Sequence, residues 1–552
     1  DNNFKLAENS PCLGTGFEGS NMGAFGVGCS TLYNGSLWYV SNSGSNSNGD
    51  GSETNPLETI QYAVNMANDG DSVIVNEGVY YEEIDAGNRE LTIGSLYMFD
   101  NNDESIIENT VIDGGGSHRV FSMDGTQIEL IGLTMQNGYN DGWGGSISSD
   151  SYSDLTIRNS IIKNSHANNG GGGINSNKSH LTLIDVDLIG NSAGIAGAIN
   201  AGSNDSTFTA NISVTSCLFS SNHATDGVVG GAQLGYGTSV IEVRNSEFIG
   251  NHATGYGGLR VRNDFIIDSC LFVDNTASFY GAGGGISGGT GILSNSVFVN
   301  NSIDSLDVEG SSNGGGFTLW SDANVEVLNC TFAGNIANTG GGLSVGNRAV
   351  ANVLNSIFYD NFPDQLSLEQ WNENCATLSV DYSLVQDGQD SVHFDTTSCV
   401  LNWGEGNIDF DPQFCDPDSG YFSLAEGSPC IGTGHDGANM GALGIGCDAL
   451  SNDETSSIAP VSFVLHQNYP NPFNPVTTLR YDIPENAFVN IRIYDLKGRL
   501  ANTLVSKEQT AGYKAIKWAG VDDKGQPVSA GIYLYEIQAG EFRQTKKMVL
   551  LK

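Results

Sequence analysis

The chain has 552 residues, 73 of them glycine and 12 proline, and a formal net charge of −41. That length allows two or more domains, and the excess of glycine over proline argues against a proline-rich disordered chain. The acidity makes nucleic acid and anionic membranes poor partners, and no apolar run reaches the ~18 residues of a membrane span.

The chain opens on a segment that it later repeats. Phe4 to Cys29 and Phe422 to Cys447 match at 18 of 26 positions, 418 residues apart, and each copy carries two cysteines. The second copy closes a long repetitive region. Residues 1–30 are therefore expected to close an earlier region of the same kind, so that residue 1 is not a natural beginning; an export signal has been removed, or the chain is a piece of something longer. The matching 17-residue separations predict two closed loops, Cys12 with Cys29 and Cys430 with Cys447, in an oxidising compartment. The pairing of Cys375, Cys399 and Cys415 stays open.

In residues 31–447 the first element is a helix. "NPLETIQYAVNMA" places Ile60, Ala63, Val64 and Ala67 on one face. The preceding "NSNGDG" at Asn46 has Leu57 where a calcium loop needs an acidic twelfth ligand, and it reads as a capping turn.

One phrase then recurs, as in "NSEFIGNHATGYGGL" and "LNCTFAGNIANTGGGL". Its apolar anchors are Ile162, Leu188, Phe219, Phe248, Phe272, Phe298, Phe332 and Phe358, spaced 24 to 34 residues apart. Such a period signals stacked repeats. The segments between turns are short, alternate in polarity and favour Val, Ile, Leu, Phe and Thr, so they are strands. With roughly 25 residues and three strands per circuit, the economical arrangement is a parallel β-helix with coils ~4.8 Å apart. The Phe anchors are then expected to stack inside. The Asn three places later (Asn222, Asn251, Asn275, Asn301, Asn335, Asn361) suits a left-handed bend and an amide ladder between coils. Cys217, Cys270 and Cys330 recur on alternate coils, ~9.6 Å apart, beyond bridging distance, and are expected to be buried thiols.

The alternation of Phe-x-x-Asn with glycine pairs resembles the repeats of polymorphic outer-membrane proteins. The stretch "WYVSNSGSNSNGDGSETNPLETIQYAVNMANDGDSVIVNEGVY" looks like the opening of a pectin-lyase-like β-helix, and "GNIDFDPQFCDPDSGYFSLAEGSPCIGTG" is similar to the tail of many secreted β-helix proteins. These resemblances imply a right-handed parallel β-helix with the helix above capping its open end.

Residues 448–460, "DALSNDETSSIAP", form a polar linker. Residues 461–552 carry a net charge of +4, leaving −45 for the rest, and read as short strands of a small immunoglobulin-like β-sandwich. "YPNPFNP", "IYDLKGR", "DDKGQPVSAGIYLYEI" and the terminal "KKMVLLK" resemble, in family order, the C-terminal sorting domain of type IX secretion substrates. That resemblance implies export to the surface of a Gram-negative bacterium or beyond, with the secretion machinery as partner of residues 461–552.

Residues 31–447 contain nine Lys or Arg, so two on one strand attract notice. In "GGLRVRNDF" the side chains of Arg260 and Arg262 are expected to point outward together, with His252 before them and Asp264 and Asp268 after. In a polysaccharide-cleaving enzyme Arg260, Arg262, Asp264 and His252 would be the candidates; otherwise they form a solvated strand face. Trp143, Tyr256, Tyr280 and Trp320 flank glycine pairs and form either a sugar platform or packed turns. His166, His223 and His252 share one repeat position, and no third ligand for a metal is evident. No cofactor is called for, with calcium left open as a structural or catalytic ion. The reading is an exported adhesin or scaffold that contacts glycans or other cells. A lyase or glycoside hydrolase on the same fold is the first alternative. The second is a filament subunit associating through its β-helix ends.

Overall fold

A computed structural model describes residues 36–99, 103–304, 313–396, 398–417, 420–447 and most of 463–551. Cys12, Cys29 and the linker 448–460 lie outside the described residues. Among those described, one compact unit ends at Asp411 and includes Gly432–Ala442; the other contains Pro412–Ile431 and continues from Leu443.

The first unit is a parallel β-helix of about 11 turns. A middle coil runs through Ser239–Arg244, Glu247–Ile249, His252–Ala253 and Leu259–Val261. The first two strands belong to one long sheet that bends at a residue of positive φ, here Asn245 (47°). The two-residue strand adds a short ladder that the three-strand expectation lacked. Coils stack in strict register, Phe248 opposite Phe219 on one side and Phe272 on the other.

That register carries the core. Phe219, Phe248, Phe272, Phe298, Phe332 and Phe358 are fully buried, with successive rings 4.5 to 4.8 Å apart and 5 to 8° from parallel. Burial of each ring and the stacking between them both stabilise the coil pile.

The Asn ladder forms, but these residues do not make the left-handed bend. The bend falls one place earlier, at Ser221, Gly250, Asp274, Asn300, Gly334 and Asp360, all of positive φ. The turn throws the following side chain inward, where a buried amide must satisfy every donor and acceptor. Asn275 shows how: its Nδ2 donates to Phe248 O at 2.7 Å and to Asn301 Oδ1 at 2.9 Å. Its own Oδ1 accepts from Asn251 N and Nδ2. The same bonds recur from Asn191 to Asn361, where Gln365 Oε1 ends the run.

Cys217, Cys270 and Cys330 are buried thiols whose backbone N–H groups donate to Ser246, Ser296 and Ser356 of the next coil. At the start of the β-helix, Ile60–Met66 is helical, with Thr59 as N-cap and Ile60, Ala63, Val64 and Ala67 buried in the common core. Asn46 Oδ1 accepts from Glu58 N and Thr59 N, so "NSNGDG" is tied to the helix entrance. The Glu82 carboxylate takes the Ile60 and Gln61 N–H groups, which suits a helix N-terminus.

Two cysteine findings follow. Cys375 bonds to Cys399. The expected Cys430–Cys447 bond is replaced by Cys415–Cys447, and Cys430 is buried as a thiol. The cause is local pairing: Phe414–Asp416 runs antiparallel to Tyr421–Leu424, and Leu424 bridges Ile445, which carries Cys447 back beside Cys415. In the first unit, Gly432–Ala442 lies along a flank of the β-helix instead of closing its end. His435 N and Gly441 N donate to Asn355, Ala442 N donates to Thr331 Oγ1, and His435 meets Tyr382.

Besides that short antiparallel pair, the described residues of the second unit form two antiparallel sheets. Val464–Leu465, Thr477–Ile483 and Gly512–Trp518 form one; Ala487–Asp495, Leu500–Gln509, Gly531–Ala539 and Phe542–Leu550 form the other. Phe473, Tyr481, Trp518, Tyr535 and Met548 share one buried cluster, an immunoglobulin-like arrangement. Buried Trp518 and Tyr535 keep their polar ends bonded, to Val521 O and from Asn468 N.

Candidate functional site

The outward positions of the third sheet form a row that reads Asn175, Asn200, Gln233, Arg260, Gly285, Thr318. Its first three amides are buried and linked, Gln233 Nε2 to Asn200 Oδ1 and Asn200 Nδ2 to Asn175 Oδ1. The row then loses its side chain at Gly285. A Cβ there would sit 2.6 Å from the Tyr256 ring and 2.7 Å from Thr318 O, so the missing side chain lets the Tyr256 ring pack over this position. Gly289, at φ +91°, passes so close that a Cβ would lie 2.0 Å from Asn263 O. Gly288 and Gly289 line an open groove of about 750 Å³.

Arg260, Arg262, Tyr256, Tyr280 and Trp320 all line this groove, so two clusters that looked separate in the sequence share one site. They play different parts. Tyr256 is only 5% exposed and lies beneath the Arg260 guanidinium, whose carbon is 5.1 Å from the ring centroid. Tyr256 OH and Arg260 Nε both reach Ser287 Oγ, at 3.3 and 3.2 Å. Tyr256 therefore positions Arg260 and offers no face to a ligand. Tyr280, beside Phe279, and Trp320 are half-buried and supply the aromatic surface. The Trp320 indole lies across Gly346 of the next coil and meets Trp371 edge-on at 6.3 Å. Burial, with Arg262 nearby, lowers the Arg260 pKa; burial raises that of Tyr280.

The other candidates lie elsewhere. Asp264 is exposed and accepts from Thr290 N; Asp268 joins Arg244, Ser294 and Asn295. His252 stands on the short ladder, its ring stacked 5.0 Å from His223 and its Nδ1 2.7 Å from Thr276 Oγ1. His166 instead stacks on Tyr139. Trp143 is 39% exposed, lies against Gly170 and does not line the groove. Among the described residues no cluster of three or more His, Cys, Asp or Glu is placed to hold a metal ion. The sequence reading missed Ser287, Asn263 and Phe279; "NDF" and "SGGTG" were visible, but only the coil register brings them together.

Residues 475–541 match the family model described as the FlgD Ig-like domain. No curated protein matches the chain. Among solved structures, dimeric latent PorU from Porphyromonas gingivalis is 25% identical over 16% of this chain and 9% of its own, with a TM-score of 0.14. PorZ of the same organism, a surface component of the type IX secretion system, is 20% identical over 16% of this chain and 11% of its own, with a TM-score of 0.13. The chain thus spans about a tenth of the length of either. Pectate lyase Pel9A is 13% identical over 74% of this chain and 96% of its own, with a TM-score of 0.31. No helix among the described residues is long and apolar enough to cross a membrane.

Proposed function

We propose that this is an exported β-helix protein of the cell surface or its surroundings that binds a glycan chain in the Arg260–Trp320 groove and acts as an adhesin. The observation that carries the reading is the meeting of Tyr280, Trp320 and two outward arginines in one open groove. Aromatic faces pack against the apolar faces of sugars, and guanidinium groups offer donors in a fixed fork. Export is supported by two disulfides, which belong to oxidising compartments, and by the four sorting-domain motifs in residues 461–552. In this reading those residues engage the type IX machinery, and the calcium left open in the sequence has no role in the groove.

The test is retention of the full chain on immobilised polysaccharides, neutral and acidic. Tyr280→Ala with Trp320→Ala should abolish retention while the thermal unfolding midpoint moves little. Absence of retention on every matrix would overturn the reading. Release of unsaturated or reducing ends from a retained polysaccharide would replace adhesion by cleavage.

A further inference from the structure

The charge of the groove runs against that of the whole chain. Although the protein carries −41, none of the residues lining the groove is Asp or Glu. Three other arginines of the β-helix are paired with carboxylates: Arg158 with Glu129, Arg244 with Glu242 and Asp268, and Arg348 with Asp322. Arg119 donates to the carbonyls of Trp143 and Gly144. Among the described residues, Arg260 and Arg262 have no carboxylate partner, and Arg260 spends only its Nε, on Ser287. Partly buried guanidinium groups without counter-charge are costly unless an anion completes them.

We infer that the groove selects a linear polyanionic glycan, whose carboxylates or sulfates meet Arg260 and Arg262 directly, and this rests on the glycan reading above. The selection has two sides. Charge-assisted bonds to the two guanidiniums favour the anion at contact range. The surrounding acidic surface repels it beyond that range, and this repulsion is screened within ~8 Å at physiological salt. A polyanion therefore binds only where the acid-free groove allows contact. With no carboxylate lining the groove to anchor a divalent ion, the contacts to Arg260 and Arg262 are direct, and recognition is expected not to require calcium.

The experiment is calorimetric titration of the full chain, in EDTA, with oligosaccharides of equal length: an oligogalacturonate, a sulfated galactan fragment and a neutral xylo-oligosaccharide. At least one anionic ligand is expected to bind about tenfold or more tighter than the neutral one; which of the two does so distinguishes carboxylate from sulfate. Arg260→Gln with Arg262→Gln should remove that preference, so that the variant binds anionic and neutral ligands alike, and Arg262→Lys should keep part of it. Circular dichroism and the unfolding midpoint identify a variant that fails to fold, in which case Arg262→Lys carries the comparison. Neutral binding as tight as anionic, a preference that survives both Gln changes, or binding that returns only on adding calcium overturns the inference and leaves the glycan reading standing. No binding by any of the three overturns both.

Discussion

The rings of Phe272 and Phe298 lie 4.6 Å apart and within 6° of parallel, although 26 residues of chain separate them. Each is held in that position by a strand register that matches residue for residue, so removing one ring opens a gap with rigid walls above and below. Phe298→Ala should lower stability by about 3–5 kcal/mol, and Phe298→Leu by less, measured by chemical unfolding. An Ala variant as stable as the parent would show that the stack is not a principal source of stability.

Asn301 supplies the acceptor for Asn275 N and Nδ2 and donates to Phe272 O and Asn335 Oδ1. Asn301→Asp preserves shape but loses the two donors and brings a buried charge. It should destabilise by at least about 3 kcal/mol. Parity between Asp and Asn in unfolding experiments would mean that the site needs only volume.

The Cys217, Cys270 and Cys330 thiols have pKa values pushed up to about 12, chiefly by burial. They should resist alkylation at pH 8 in the folded protein and react on unfolding. Peptide mapping should recover Cys375 linked to Cys399 and Cys415 linked to Cys447. Recovery of a Cys430–Cys447 peptide would restore the pairing read from the sequence repeat.

Asp187 is held up to about 6 from an ordinary 3.8, first by burial and then by Glu247, Glu104 and Asp185. Because the folded value is the higher one, full stability is present below about 3.8, is lost as pH rises to about 6 and stays lost above. Asp187→Asn should therefore stabilise the protein at pH 8 by about 1–3 kcal/mol and have no effect near pH 3. Equal effects at both pH values would assign the gain to something other than ionisation.

The repeat was legible because β-helix coils obey one rule: an anchor at fixed phase must face inward. Phe and Asn at constant spacing thus announced the internal stack and ladder, and Cys217 with Cys270 announced separated thiols. The groove was legible only in pieces. Arg260 and Trp320 are 60 residues apart in sequence, and their proximity follows from coil register alone. Tyr256 shows a further limit: its place before a glycine pair left a sugar platform and a packed turn both open, and its role as a buried support for Arg260 appears only in the folded coils. The Cys447 pairing escaped because equal spacing in two copies describes their common origin, whereas bonding follows the hairpin that brings Cys415 alongside.

The side chain of Asn275 binds backward to a carbonyl of the coil before it and forward to an amide of the coil after it. Every ladder residue from Asn191 to Asn335 does the same, so each is a stitch through three layers and each layer is crossed by overlapping stitches. Peeling the last coil strips partners from the coil before it, and the smallest piece with all its amides satisfied is longer than the genetic repeat that encodes it. Gain or loss of a single repeat by recombination is absorbed, because any Asn coil can be stitched to any other; fraying from an end is resisted, because each departing coil leaves buried amides of its neighbour unpaired.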